Sequence, residues 1–182
     1  MSTFSIVLLV LAAAVLWIIA MYNQLVRKRN LVREGWSGID VQLKRRANLI
    51  PNLVETVKGY ARHEAETLAK VTQMRNPGGA SMAERRENEQ AIGAALRQLF
   101  AVAESYPDLK ASQNFLDLQN NLDEIETEIQ HARRYYNGAA RDLNIMIESF
   151  PSNFVAGSFG FTPAEFFEIE ETARGEVPAV KF

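Results

Sequence analysis

The chain has 182 residues and no cysteine, which excludes disulfides and thiolate metal sites. Its formal charge of −2 excludes a bulk attraction to nucleic acid. The charge is unevenly placed: residues 1–46 hold seven basic and two acidic side chains, and the remainder holds 13 and 20.

The first element is an apolar run. Residues 4–22 carry no charge, and Ser5 is their only polar side chain apart from the ring groups of Trp17 and Tyr22. As a helix they reach about 28 Å, close to the ~30 Å hydrocarbon core of a bilayer. Trp17 and Tyr22 lie toward one end, where amphipathic rings favour the headgroup region. A cleaved signal peptide needs a basic start and a shorter apolar run. Met1-Ser2-Thr3 supplies no basic side chain, so the reading is an uncleaved anchor. Arg27, Lys28, Arg29 and Arg33 follow the run, and no charged side chain precedes it. The positive-inside rule then sets Met1 outside and the rest of the chain in the cytoplasm.

Helical periodicity continues beyond the anchor, and useful strand alternation is absent. The expected fold is all-α: an N-terminal transmembrane helix (residues 1–22), an antiparallel bundle of three to four long helices (23–150), and a Phe-rich tail with a short helix on the bundle (151–182). The first bundle segment runs over residues 23–75 and stops at Asn76-Pro77-Gly78-Gly79. The second begins at the capping box Ser81-Met82-Ala83-Glu84 and ends near Tyr106-Pro107-Asp108. The third starts at Ser112 and ends before Phe150-Pro151. Its seam, from Phe115 through Leu122, Ile125, Ile129 and Tyr136 to Phe150, keeps 3-4 spacing for five heptads without a charge. The fourth is short and expected at Thr162-Pro163-Ala164-Glu165, which combines an N-cap, a proline at the first helical position and a following carboxylate. The aromatic tail is expected to fold back over the apolar end of the third helix.

Motifs for chemistry fail on inspection. His63-Glu64-Ala65-Glu66-Thr67 starts like a zinc-protease motif, but the second ligand position is Thr67, which cannot replace imidazole. Glu128 and His131 form half of a di-iron pattern without a second copy, and the core phase of Ile129 and Ala132 turns His131 outward. Glycine patterns for phosphate or dinucleotides lack their strand–loop–helix context. Lys44-Arg45-Arg46 reads as a solvated, membrane-proximal face. No catalytic, cofactor-binding or metal-binding residue is assigned, and no cofactor, nucleic acid or small-molecule substrate is expected.

The stretch from Trp36-Ser37-Gly38-Ile39-Asp40 through Lys44-Arg45-Arg46 to Asn48-Leu49-Ile50-Pro51-Asn52-Leu53 resembles the LemA family. So do Glu104-Ser105-Tyr106-Pro107-Asp108-Leu109-Lys110, Arg133-Arg134-Tyr135-Tyr136-Asn137 and Gly160-Phe161 with Phe166-Phe167-Glu168. The resemblance implies a single-pass protein of the bacterial cytoplasmic membrane with a helical bundle. It implies no established activity, substrate or cofactor.

These readings lead to a non-enzymatic, membrane-anchored scaffold or assembly protein. The alternative is a signalling or sensor module that presents its helices to an unidentified membrane or cytoplasmic partner. An enzyme using His63, Glu64 and Glu66 is the third and weakest reading. Helix lengths also predict self-association. If the second helix runs back along the first and ends level with Leu49, the third starts there and heads away from the membrane. Leu25, Val32, Trp36, Ile39 and Leu43 are then left without an intrachain partner. A stripe of that kind would not stay in water. Neighbouring chains would cover it in a homo-oligomer, or a bend near Pro51 would fold it onto its own bundle.

Overall fold

A computed structural model describes residues 2–61, 69 and 82–167. The fold is all-α, with no strand among the described residues. Helix α1 spans Thr3–Tyr60 and α2 spans Met82–Ala103. A four-residue helix, α3 (Pro107–Lys110), follows, then the long α4 (Gln113–Glu148) and the short α5 (Ser152–Ser158).

Helix α1 is continuous from the apolar run into the folded region and passes through Pro51 without a break. The helical hydrogen-bonded run is not broken there into two helices. A proline in a helix leaves one carbonyl without its usual N–H partner, and the turns on either side hold the helix together. The apolar part of α1 is long enough to cross a membrane, and among the described residues its most apolar stretch of 18 residues contains no buried side chain. The helix is therefore compatible with a single-pass anchor.

The chain packs as two compact units. One unit consists of Met1–Leu49 and Leu116–Phe166; the other takes Ile50–Phe115 and the chain from Phe167.

In the first unit, α1 and α4 lie side by side. Arg46 pairs with Glu126, Trp36 stacks on Tyr136, and Lys28 bonds Asp142. Partner numbers on α4 rise as those on α1 fall, so the helices are antiparallel and α4 runs toward the anchor. The sequence count had the third helix heading the other way. That count has the second helix end level with Leu49 and the third turn back from there. Instead, the uncharged seam of α4 and the stripe of α1 are each other's partner, and each hides the other from water.

In the second unit, Ile50, Leu53 and Val57 of α1 are buried, as are Ile92, Leu96 and Leu99 of α2. Leu109 of α3 is fully buried, and the rings of Phe100 and Phe115 meet at 6.0 Å. A backbone turn between α2 and Pro107 uses the N–H groups of Ser105 and Tyr106, which bond to Val102 and Ala103.

The end of α4 departs from expectation. Phe150, placed on the core seam by its spacing, is exposed. The seam stops because α4 ends at Glu148. Ser152 closes that end: its hydroxyl oxygen lies 2.7 Å from the Met146 carbonyl and 3.0 Å from that of Ser149. Carbonyls in the last turn have no helical donor, and this contact answers part of that need.

The helix expected at Thr162-Pro163-Ala164-Glu165 is absent, and residues 161–167 are non-helical. The short helix forms earlier, as α5. Gly160 adopts φ 69, a left-handed conformation that suits glycine, and turns the chain out of α5. Side chains of α4 then take the backbone groups that a helix would have used. Ala164 N–H donates to Asn144 Oδ1 at 2.8 Å, and Asn144 Nδ2 donates back to the Ala164 carbonyl at 2.9 Å. The Tyr136 hydroxyl donates to the Glu165 carbonyl at 2.7 Å. These three bonds strap residues 161–165 onto α4.

Candidate interaction surfaces

The five residues proposed for self-association sit on the inner face of α1. Leu25 and Ile39 are fully buried, Val32 and Leu43 are buried, and the Trp36 ring packs 5.7 Å from that of Tyr136. The structure therefore corrects the exposed-stripe argument. The stripe is covered within one chain, by α4, and no neighbouring copy is required to hide it.

Close approach of the two helices depends on Gly35. A Cβ on Gly35 would stand 2.9 Å from the Tyr136 Cα. Gly38, one turn on, has nothing within 4 Å of the same construction.

Polar pairs fix the register. Arg46 was read as part of a solvated basic face, but its side chain is only 8% exposed and its Nη1 stands 3.2 Å from Glu126 Oε2. The run therefore divides. Lys44 turns to Asp40 at 2.7 Å and Arg45 donates to Gln42 at 3.1 Å, both along the surface of α1. Three successive residues on a helix point in directions about 100° apart, so one of them falls on the buried face. Asp40 is half-buried beside the apolar stripe and pairs with Lys44 one turn on. At the anchor end Lys28 Nζ donates to Asp142 Oδ2 at 2.8 Å. The hydrogen bond and charge of Lys28 hold the Asp142 carboxyl below the usual carboxylate range.

Glu128 and His131 are both exposed on α4. That is the outward phase read from Ile129 and Ala132. His63, Glu64 and Glu66 lie outside the described residues. Among the described residues no group of three potential ligands is close enough to hold a metal ion.

The surface least expected from sequence lies where α4, α5 and the start of the strap meet α1. Val155 and Ala156 of α5 and Phe161 of the strap are buried. The Tyr22 ring packs against Phe159 at 4.9 Å and Phe161 at 5.8 Å, and the Arg29 guanidinium sits 5.0 Å over the Phe161 ring. The tail therefore does cover this end in part. Yet Phe150, Phe154 and Phe159 remain 80%, 65% and 55% exposed, and the Phe150 and Phe154 rings touch at 5.9 Å. The signal in the sequence was the absence of charge: residues 149–164 contain no charged side chain.

Comparison with known proteins agrees with the motifs. The family model described as LemA family matches residues 35–182. Protein LemA of Metamycoplasma hominis is 32% identical over 85% of this chain and 72% of its own length. The magnetosome protein MamQ 2 of Paramagnetospirillum magneticum is 26% identical over 87% of this chain and 68% of its own length. The magnetosome protein MamQ of Magnetospirillum gryphiswaldense is 22% identical over 93% and 72%. A family match across most of the folded region, together with a relative of this identity and coverage, shows that the chain belongs to the LemA family.

Proposed function

We propose that this LemA-family chain is a non-enzymatic scaffold of the bacterial cytoplasmic membrane, anchored by residues 4–22, with Met1 outside and the packed helices in the cytoplasm. One observation carries the reading: α1 is a single helix from the apolar run to Tyr60, and its later turns form part of the core. An anchor joined to the packed helices without a loop holds them close to the bilayer. That suits a protein whose work is to present surfaces at the bilayer. Arg27, Lys28, Arg29 and Arg33 just beyond the run support the cytoplasmic side.

Self-association through Leu25, Val32, Trp36, Ile39 and Leu43 drops out of this proposal, because α4 already covers them. The working surfaces are instead the outer faces of α1 and α4, offered to a membrane or cytoplasmic protein. Because the chain has no cysteine, single cysteines can report topology without background. An impermeant reagent applied to intact cells is expected to label Ser2→Cys and to leave Tyr135→Cys unlabelled until the membrane is opened. The reverse pattern overturns the orientation. A pull-down from solubilised membranes is expected to bring down a distinct protein. Recovery of the chain alone, at monomer mass, would overturn the scaffold role.

A further inference from the structure

We infer that Phe150, Phe154 and Phe159 form a second membrane contact, a docking rim that enters the headgroup–acyl boundary beside the anchor. The inference rests on the anchored reading of residues 4–22.

Tyr22 is the last residue of the apolar run. Its ring is 4.9 Å from Phe159. With the run in a bilayer, Tyr22 sits at the interface and carries Phe159 to the same depth. Phe159 N–H bonds back to the Val155 carbonyl at the end of α5, so α5 is tied to this level. The helix is seven residues long, about 10 Å, so Phe154 stays near the boundary whichever way α5 points. Phe150 follows through its ring contact with Phe154.

The chemistry of the rim fits lipid rather than water. α5 buries Ser152, Val155 and Ala156 against its own unit and leaves Phe154 on the other side. Three exposed phenylalanines within one short segment make an apolar patch that a soluble surface rarely keeps. Residues 149–164 are uncharged, so entering the boundary would desolvate no ion. The flanking charge is mixed: Arg27, Lys28 and Arg29 follow the run on α1, Lys28 is paired with Asp142, and Glu148 and Glu165 bound the uncharged stretch. The case for lipid therefore rests on the exposed rings and the uncharged stretch, since aromatic and apolar side chains favour the headgroup–acyl boundary. The apolar run itself continues from this end of the unit, so the bilayer is the occupant already in place.

Two contacts would do what one helix cannot. A single span leaves its domain free to rotate about the helix axis, whereas a rim off that axis fixes which face of α4 looks outward.

The experiment uses the full chain reconstituted in anionic phospholipid nanodiscs. Nitroxide labels are placed one at a time through Phe150→Cys, Phe154→Cys and Phe159→Cys, with Val10→Cys in the run and Tyr135→Cys on exposed α4 as references. Collision with oxygen, which partitions into lipid, is compared with collision with a water-soluble nickel chelate. The rim labels are expected to show an oxygen-to-nickel ratio several-fold above Tyr135→Cys and closer to Val10→Cys. If Val10→Cys reads as lipid while the rim labels match Tyr135→Cys, the rim fails and the anchor stands. If Val10→Cys itself reads as water, the anchored reading falls and takes the rim with it. Rim labels shielded from both reagents and broadened by a second spin would mean that another copy covers the patch, which also overturns the inference. Phe150 is the most exposed of the three, so its label disturbs the fold least, and its ratio decides the matter if either other variant loses helicity.

Discussion

Gly35 on α1 faces Tyr136 on α4 so closely that a Cβ there would lie 2.9 Å from the Tyr136 Cα. The same stretch of α1 turns Trp36 onto the Tyr136 ring at 5.7 Å. One tyrosine thus receives a backbone approach and an aromatic contact on one side. Through its hydroxyl it also holds the Glu165 carbonyl at 2.7 Å. Crossing, stacking and strap meet at this residue.

Gly35→Ala should destabilise the protein although alanine favours helices. The gain in helix propensity is about 1 kcal/mol. Against it stands overpacking, typically 1–3 kcal/mol, because the close atom is backbone and cannot swing aside. Gly38→Ala has open space and should keep the propensity gain. Urea titration of both variants in mild detergent, followed by circular dichroism, separates them. Equal midpoints would show that the helices do not approach as described.

Arg46 and Arg45 should behave very differently despite adjacent places in one basic run. Arg46→Ala removes a buried side chain and its ion pair with Glu126, at a cost of roughly 1–3 kcal/mol. Glu126 is 41% exposed and can return to water, which keeps the loss from being larger. Arg45→Ala, on the surface, should fall within about 0.5 kcal/mol of wild type. Comparable losses in the two variants would remove Arg46 from the core.

The sequence reading succeeded where one periodicity ran long. Phe115, Leu122, Ile125, Ile129, Tyr136 and Leu143 were placed on one face of a helix, and all are buried. It failed where the answer depended on a distant segment. Nothing local says that Arg46 will meet Glu126, since a basic run looks solvated until its partner helix is known. Thr162 and Pro163 have the chemistry of a helix start, but Asn144 and Tyr136 outbid the helix for the same backbone groups. The direction of α4 was misjudged because helix lengths were counted as if neighbours in sequence must be neighbours in space. The aromatic tail was read as core; Phe161 and Phe167 are buried, while Phe150, Phe154 and Phe159 face outward.

Asn144 should control the strap without controlling the helices. Its amide gives and receives one hydrogen bond with Ala164, at 2.9 Å and 2.8 Å. Asn144→Ala loses both and leaves the backbone of Ala164 to water, a cost of about 1–3 kcal/mol for two bonds. Asn144→Asp keeps the acceptor for the Ala164 N–H but sets a carboxylate oxygen against the Ala164 carbonyl, so it should also fail to hold the strap. Hydrogen exchange is the measurement of choice. Faster exchange at Ala164 with unchanged protection in the middle of α4 is expected. Loss of protection throughout α4 would make Asn144 a residue of the bundle rather than of the strap.

Lys28 and Asp142 form a surface pair near the anchor end, with side chains 35% and 49% exposed. Pairs of this kind are weak and screened by salt. Their effect has a definite sign with pH. The Asp142 carboxyl titrates below the usual carboxylate range because Lys28 bonds its ionised form. The contribution is therefore present above the ordinary aspartate value near about 4 and is lost as pH falls through the lowered folded value. Asp142→Asn should accordingly be slightly less stable than wild type at neutral pH in dilute buffer. The gap should narrow in molar salt and close below the carboxylate range. Chemical unfolding of both proteins at neutral and acid pH, each at low and high salt, tests all three trends. A gap that survived acid would mean that the asparagine disturbs packing, and the 2.8 Å ion pair would not be its cause.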